Sequence, residues 1–168
     1  MTMKTIKIFL LLVVFATCAA HAQFTKAELQ LNGLNCGLCA KATQNTLKKL
    51  PFVNEVKPDL MRNLFVITFK SGEAINWDDI SKSVHDEGFF ISSLKASFNF
   101  DKVKVNDNRF TYGNDIYQVM NAAGKTFTGE TMVLIVDKGF APRSVSKKYL
   151  GQVVESPANA TRVYHVAI

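Results

Sequence analysis

A chain of 168 residues, 48% hydrophobic and 20% charged, has the balance of one or two small globular domains. Its formal charge of +6 falls to about +4 if the leader described next is removed. That mild surplus excludes the strong, clustered positive charge of a nucleic-acid binder.

Residues 1–22 read as a secretory signal. Lys4 and Lys7 form a basic start, Ile8 to Phe15 a short apolar core, and Ala20-His21-Ala22 a small-x-small cleavage site. The mature chain is then expected to begin at Gln23, in the periplasm or outside the cell. An uncleaved membrane anchor would need a longer apolar run. Lipidation at Cys18 would want a leucine upstream, where Phe15-Ala16-Thr17 stands. No other segment is long and apolar enough to span a membrane.

Cleavage removes Cys18 and leaves Cys36 and Cys39. An exported pair usually suggests a disulfide. A bridge between these two closes a very small loop, however, and its entropic benefit grows with loop length. A structural staple explains the pair poorly, and a reactive or metal-binding pair explains it better.

Glu28 to Asn32 alternates polar and apolar residues, as a half-buried strand does. Gly33 to Cys39 is a loop with two glycines. Ala40 to Leu50 favours helix, with Ala40, Ala42, Leu47 and Leu50 leaning inward and Lys41, Gln44, Lys48 and Lys49 toward water. Pro51 stops it. A second strand carries Val53 and Val56 and ends near Asp59. Met61-Arg62-Asn63 turns into a third, Leu64 to Phe69, with Phe65, Ile67 and Phe69 on one face. Asn76 is a good N-cap for a helix over residues 77–87, with Asp78 and Asp79 in its first turn and Gly88 ending it. Phe90 to Phe98 contains a fourth strand. Strand, helix, strand, strand, helix, strand predicts a ferredoxin-like βαββαβ sandwich in an α+β chain.

Two motifs sit on this scaffold: Gly33-Leu34-Asn35-Cys36-Gly37-Leu38-Cys39 and, at the end of the second helix, Asp86-Glu87-Gly88-Phe89. Over residues 27–97 the chain resembles the heavy-metal-associated domain of copper chaperones, metal-pumping ATPases and the periplasmic mercury-binding protein. That family places Gly-Met-Thr-Cys-x-x-Cys before its first helix and Asp-x-Gly-Phe or Tyr after its second. Leu34 replaces the family's Met beneath the metal loop, a swap of similar volume. Asn35 replaces Thr, where zinc-pumping members often carry an acidic oxygen ligand. The resemblance implies that Cys36 and Cys39 bind a metal and that Phe89 lies beside the loop.

The chemistry of the pair agrees. Thiolates are the ligands, and a helix N-terminus favours them through its dipole and free N–H groups. Soft sulfur prefers copper(I), with zinc, cadmium and mercury as competitors. Two thiolates satisfy copper(I) but leave zinc short of its usual four ligands. An exposed two-coordinate ion can pass to the thiols of a donor or acceptor protein, so transport rather than catalysis is expected. Two readings compete. The pair could serve a thiol–disulfide oxidoreductase, although such enzymes set it after a long buried strand. It could also be inert in a metal-free interaction module. His85 reads as a solvent-facing helical residue. Lys41, Lys48 and Lys49 read as a solvated face, or as a docking surface for an acidic partner.

Residues 99–168 show no ligand cluster and no second thiol pair. Phe110 to Tyr112, Ile116 to Met120, Thr131 to Val136 and Arg162 to Ile168 read as strands, and Pro142 to Leu150 as a short helix. A small barrel or an extension of the first sheet would accommodate them. His165, Met120 and Met132 read as structural. The expected division is a signal peptide over 1–22, a metal-binding ferredoxin-like domain over 23–98, and a β-rich domain over 99–168.

Overall fold

The computed structural model describes residues 24–34, 36–101, 103–124, 126–151 and 162–168. The segment read as a signal, with Cys18 and the start at Gln23, lies outside the described residues, as does Asn35.

Strand β1 (Phe24–Asn32) buries Phe24, Ala27, Leu29 and Leu31. Its pairing with the fourth strand shifts register between Phe24 and Lys26, so Phe24 and Ala27 both face inward although they are three apart. Helix α1 runs over Gly37–Leu47 rather than from Ala40 to Leu50. Its buried stripe is Ala40, Thr43, Gln44 and Leu47, the i, i+3, i+4, i+7 rhythm of one helix face. Two expected orientations are thereby corrected: Ala42 is exposed, and Gln44 is buried. Gln44 meets its polar cost by donating from Nε2 to the carbonyl of Val56 at 2.7 Å. Past Leu47 the chain tightens, with the amides of Lys49 and Leu50 bonding three residues back. Pro51 disfavours helical backbone at Leu50 and so limits the helix from that side.

Strands β2 (Val53–Asp59) and β3 (Leu64–Phe69) form a hairpin whose turn is tied by the Arg62 amide donating to Asp59 Oδ1 at 3.1 Å. Helix α2 (Trp77–Asp86) begins as expected, with Asn76 Oδ1 accepting from the Asp79 amide at 3.2 Å. Trp77, Ile80 and Val84 are its buried stripe. Gly88 (φ +83°) ends it in a left-handed conformation that costs any other residue strain. Strand β4 (Phe90–Asn99) returns antiparallel to β1. These four strands lie in the order β2-β3-β1-β4.

The later strands are β5 (Arg109–Tyr112), β6 (Asp115–Val119), β7 (Glu130–Ile135) and β8 (Val163–Ala167), with helix α3 (Arg143–Leu150) before the last. They do not close into a barrel. Strand β7 pairs with β4, and one eight-stranded sheet results, β2-β3-β1-β4-β7-β8-β6-β5. Among the described strands, only the neighbours β6 and β8 run parallel. Glu130 pins the seam: its Oε1 accepts from Thr25 at 2.7 Å on β1 and from Ser97 at 2.5 Å on β4.

The core crosses the seam as well. Phe24 packs edge-on against Trp77, with ring centroids 5.0 Å apart, and also meets Phe98, Tyr112 and Tyr117. Trp77 Nε1 donates to the Tyr117 hydroxyl at 2.8 Å, joining α2 to β6 with both residues fully buried. The molecule is thus a mixed α/β protein whose β-rich remainder shares its sheet and its apolar cluster with the βαββαβ unit.

Candidate metal centre

Cys36 is the N-cap of α1, extended at φ −126° and ψ 125°, and its Sγ accepts from the Cys39 amide at 3.4 Å. The Ala40 amide bonds the Cys36 carbonyl at 2.9 Å. Sulfur thus takes the place that Ser, Thr or Asp usually fills at a helix start. Gly37 is the first helical residue, which explains why the helix begins before Ala40. Gly33 (φ +82°) provides the left-handed turn out of β1. Both thiols are free; Cys36 is exposed and Cys39 half-buried against the core. Leu34 is buried in the apolar cluster, consistent with its expected place under the loop.

Other singled-out residues fall where their chemistry puts them. His85 is exposed, its ring 5.6 Å from that of Phe90. Lys41 reaches along the helix, donating from Nζ to Gln44 Oε1 at 3.3 Å. Phe89 is half-buried on the core, its amide bonded to the Val84 carbonyl at 3.1 Å. His165 is held by Asp137, which accepts at 2.7 Å from both His165 Nδ1 and its amide. Met120 and Met132 sit at and on strands of the far half of the sheet. Sequence reasoning missed two supports of the thiol helix. One is Gln44. The other is Thr46 on α1, which donates from Oγ1 to Glu87 Oε1 at 2.5 Å and so ties the thiol helix to the Glu87-Gly88-Phe89 turn. A polar residue within the 40/43/44/47 rhythm was the available signal for Gln44.

The model of the heavy-metal-associated domain matches residues 28–90. Those residues form a heavy-metal-associated domain. Among solved structures, the copper transporter domain of yeast in its apo and Cu(I)-loaded states is 23% identical, with 39% of this chain and 88% of that one covered and a TM-score of 0.36. The CopZ metallochaperone is 16% identical over 40% of this chain and 98% of its own, with a TM-score of 0.37. The putative copper-ion-binding protein of Bacillus anthracis is 25% identical over 43% and 97%, with a TM-score of 0.36. No curated protein matches the chain.

In this heavy-metal-associated domain the two thiols titrate as a pair. The hydrogen bond from the Cys39 side chain, then the amides of Cys39 and Leu38, lower the pKa of Cys36. Cys39 is raised, first because its thiol donates to Cys36, then by burial and by the negative charge of Cys36. Cys36 therefore ionises first as pH rises, and a thiolate at a helix start is the expected outcome. Alkylation of the metal-free, reduced protein by iodoacetamide, followed by peptide mass spectrometry, should label Cys36 ahead of Cys39 at neutral pH. The gap should close in alkali, where both are thiolates. Faster labelling of Cys39 at neutral pH would contradict this assignment.

Proposed function

We propose that the protein binds copper(I) between the Cys36 and Cys39 thiolates, to buffer the ion or hand it to a partner. The observation that carries this reading is the cap geometry: the start of α1 points its amides at Cys36 Sγ while Cys39 stands one turn along. Two soft donors at an accessible loop suit a two-coordinate copper(I) ion. Zinc, cadmium and mercury are the competing cargoes, and zinc is disfavoured because it prefers four ligands. The chemistry is ligand exchange, so the protein acts as a carrier and not as an enzyme.

A handover partner must bring thiols to this loop. Strand register supports such an approach. Asn32 at the end of β1 faces Phe90, and Gln30 faces Leu64, so the β2–β3 turn and the start of β4 lie at the thiol end of the sheet. Leu38, Met61 and Phe90, which are 84%, 95% and 65% exposed, are apolar surface at that end. The leader over residues 1–22 supports export, with the carrier working in the periplasm or beyond. In an oxidising compartment, bound copper(I) would also keep the pair from closing to a disulfide.

X-ray absorption at the copper edge tests the coordination. The copper-loaded protein, in buffer free of small thiols, should show two sulfur neighbours and no nitrogen shell. A nitrogen or oxygen shell, or three or more sulfurs, would overturn the two-thiolate site.

A further inference from the structure

Away from the thiols, a surface cavity of about 490 Å³ opens between the turn after β7 and one face of α3. Lys138, Ala141, Arg143, Ser146 and Lys147 line it. Three of the five are cations, and among the described residues none of these three forms an ion pair. Asp137 stands next in the chain, but both its carboxylate oxygens are taken by His165. Among the described residues, nothing on the lining offsets the positive charge.

The local sequence works against itself here. Arg143 and Lys147 are four apart on α3, where like charges repel. Arg143 also lies in the first turn, which favours acids. That turn contains none, and Pro142 gives no side-chain cap. Helix α2 does the reverse, with Asn76 as cap and Asp78 and Asp79 behind it. The buried Ser146 hydroxyl makes a long 3.4 Å bond to the Asp137 carbonyl and can rotate to donate into the cavity. Conflicts of this kind in an otherwise consistent fold mark functional positions. A bound anion would remove all of them at once.

We propose that this cavity binds a phosphate group, carried by a small phosphate ester or by a phospholipid headgroup. Arg143 supplies a planar fork for two phosphate oxygens, and Lys138 and Lys147 add point charges on either side. The volume exceeds that of a bare phosphate and suits a group with a further polar moiety. This site is independent of the thiol pair.

The test uses the intact protein at constant ionic strength, titrated with inorganic phosphate and followed by amide NMR. Saturable shifts confined to the turn after β7 and to α3, with Cys36 and Cys39 unmoved, are expected. The double variant Arg143→Gln, Lys147→Gln should weaken binding about tenfold or more. Lys138→Gln alone should weaken it in the same direction, which keeps the test decisive if the double variant folds poorly. A parallel arm adds vesicles of phosphatidylcholine with and without phosphatidic acid. Capture by the acidic vesicles that depends on Arg143 and Lys147 identifies a headgroup. Phosphate binding without capture identifies a soluble ester. Shifts that never saturate and are matched by chloride, or phosphate binding unchanged in the variants, would overturn the proposal.

Discussion

Replacing Trp77 by alanine is expected to destabilise the metal-free protein by about 3–5 kcal/mol. Trp77 is fully buried at the start of α2, edge-on to Phe24 at 5.0 Å and to Phe69 at 5.5 Å. Its removal leaves a cavity where the βαββαβ unit meets the later strands. It also strands the Tyr117 hydroxyl, which is buried and has Trp77 Nε1 as its donor. Burial already holds that phenol well above its ordinary pKa, so ionisation gives it no escape. Trp77→Phe separates the two effects. It retains much of the ring contact and should lose only about 1–3 kcal/mol for the unsatisfied hydroxyl. Urea unfolding followed by circular dichroism measures both. A shared sheet and core predict one cooperative transition, displaced to lower urea as a whole. A loss below about 1 kcal/mol for Trp77→Ala would mean the seam contributes little to stability.

Cys36→Ser should lower copper(I) affinity by on the order of a hundredfold or more, since even outer-shell partners of a metal are worth roughly 10–100-fold. Serine keeps an oxygen that can cap α1, so folding should be nearly unchanged. Cys39→Ser should be as damaging to binding, because a two-thiolate site has no spare ligand. The pair differs in another respect. In Cys39→Ala, which has no side-chain donor, the Cys36 thiol loses the bond that most depresses its pKa, so its alkylation at neutral pH should slow. Copper retention during gel filtration and the alkylation rate read these two effects separately. Full retention of copper by either serine variant would remove that cysteine from the site.

Much of this molecule is legible without coordinates, and the reasons differ by region. The β3 strand is a short run of strand-forming residues following a turn, and α2 carries a cap, acids in its first turn and a closing glycine, so both emerge nearly to the residue. Helix α1 is harder. Its cap is a cysteine and its first residue a glycine, neither an ordinary start signal, so helix propensity alone points to a start at Ala40. Gln44 looked solvent-facing because its type is polar, although its position fits the buried stripe; its bond to Val56 depends on where β2 lies. Residues 99–168 show their strands plainly but not their partners. The pairing of β4 with β7 and of β6 with β8 closes long loops, and register between distant segments leaves no local trace. The aromatic seam was hidden for the same reason. Phe24, Trp77 and Tyr117 are far apart in the chain and meet only in the folded sheet.

The central claim is that Cys36 and Cys39 hold a single copper(I) ion. The most direct measurement is an anaerobic titration of the reduced protein with copper(I) against a competing chelator, repeated with zinc. The account predicts one copper bound tightly, with zinc weak under the same conditions and copper binding abolished in the Cys36→Ser, Cys39→Ser double variant. Failure to bind either ion, together with a disulfide between the two cysteines that a small thiol readily reduces, would contradict it and make the pair a redox site.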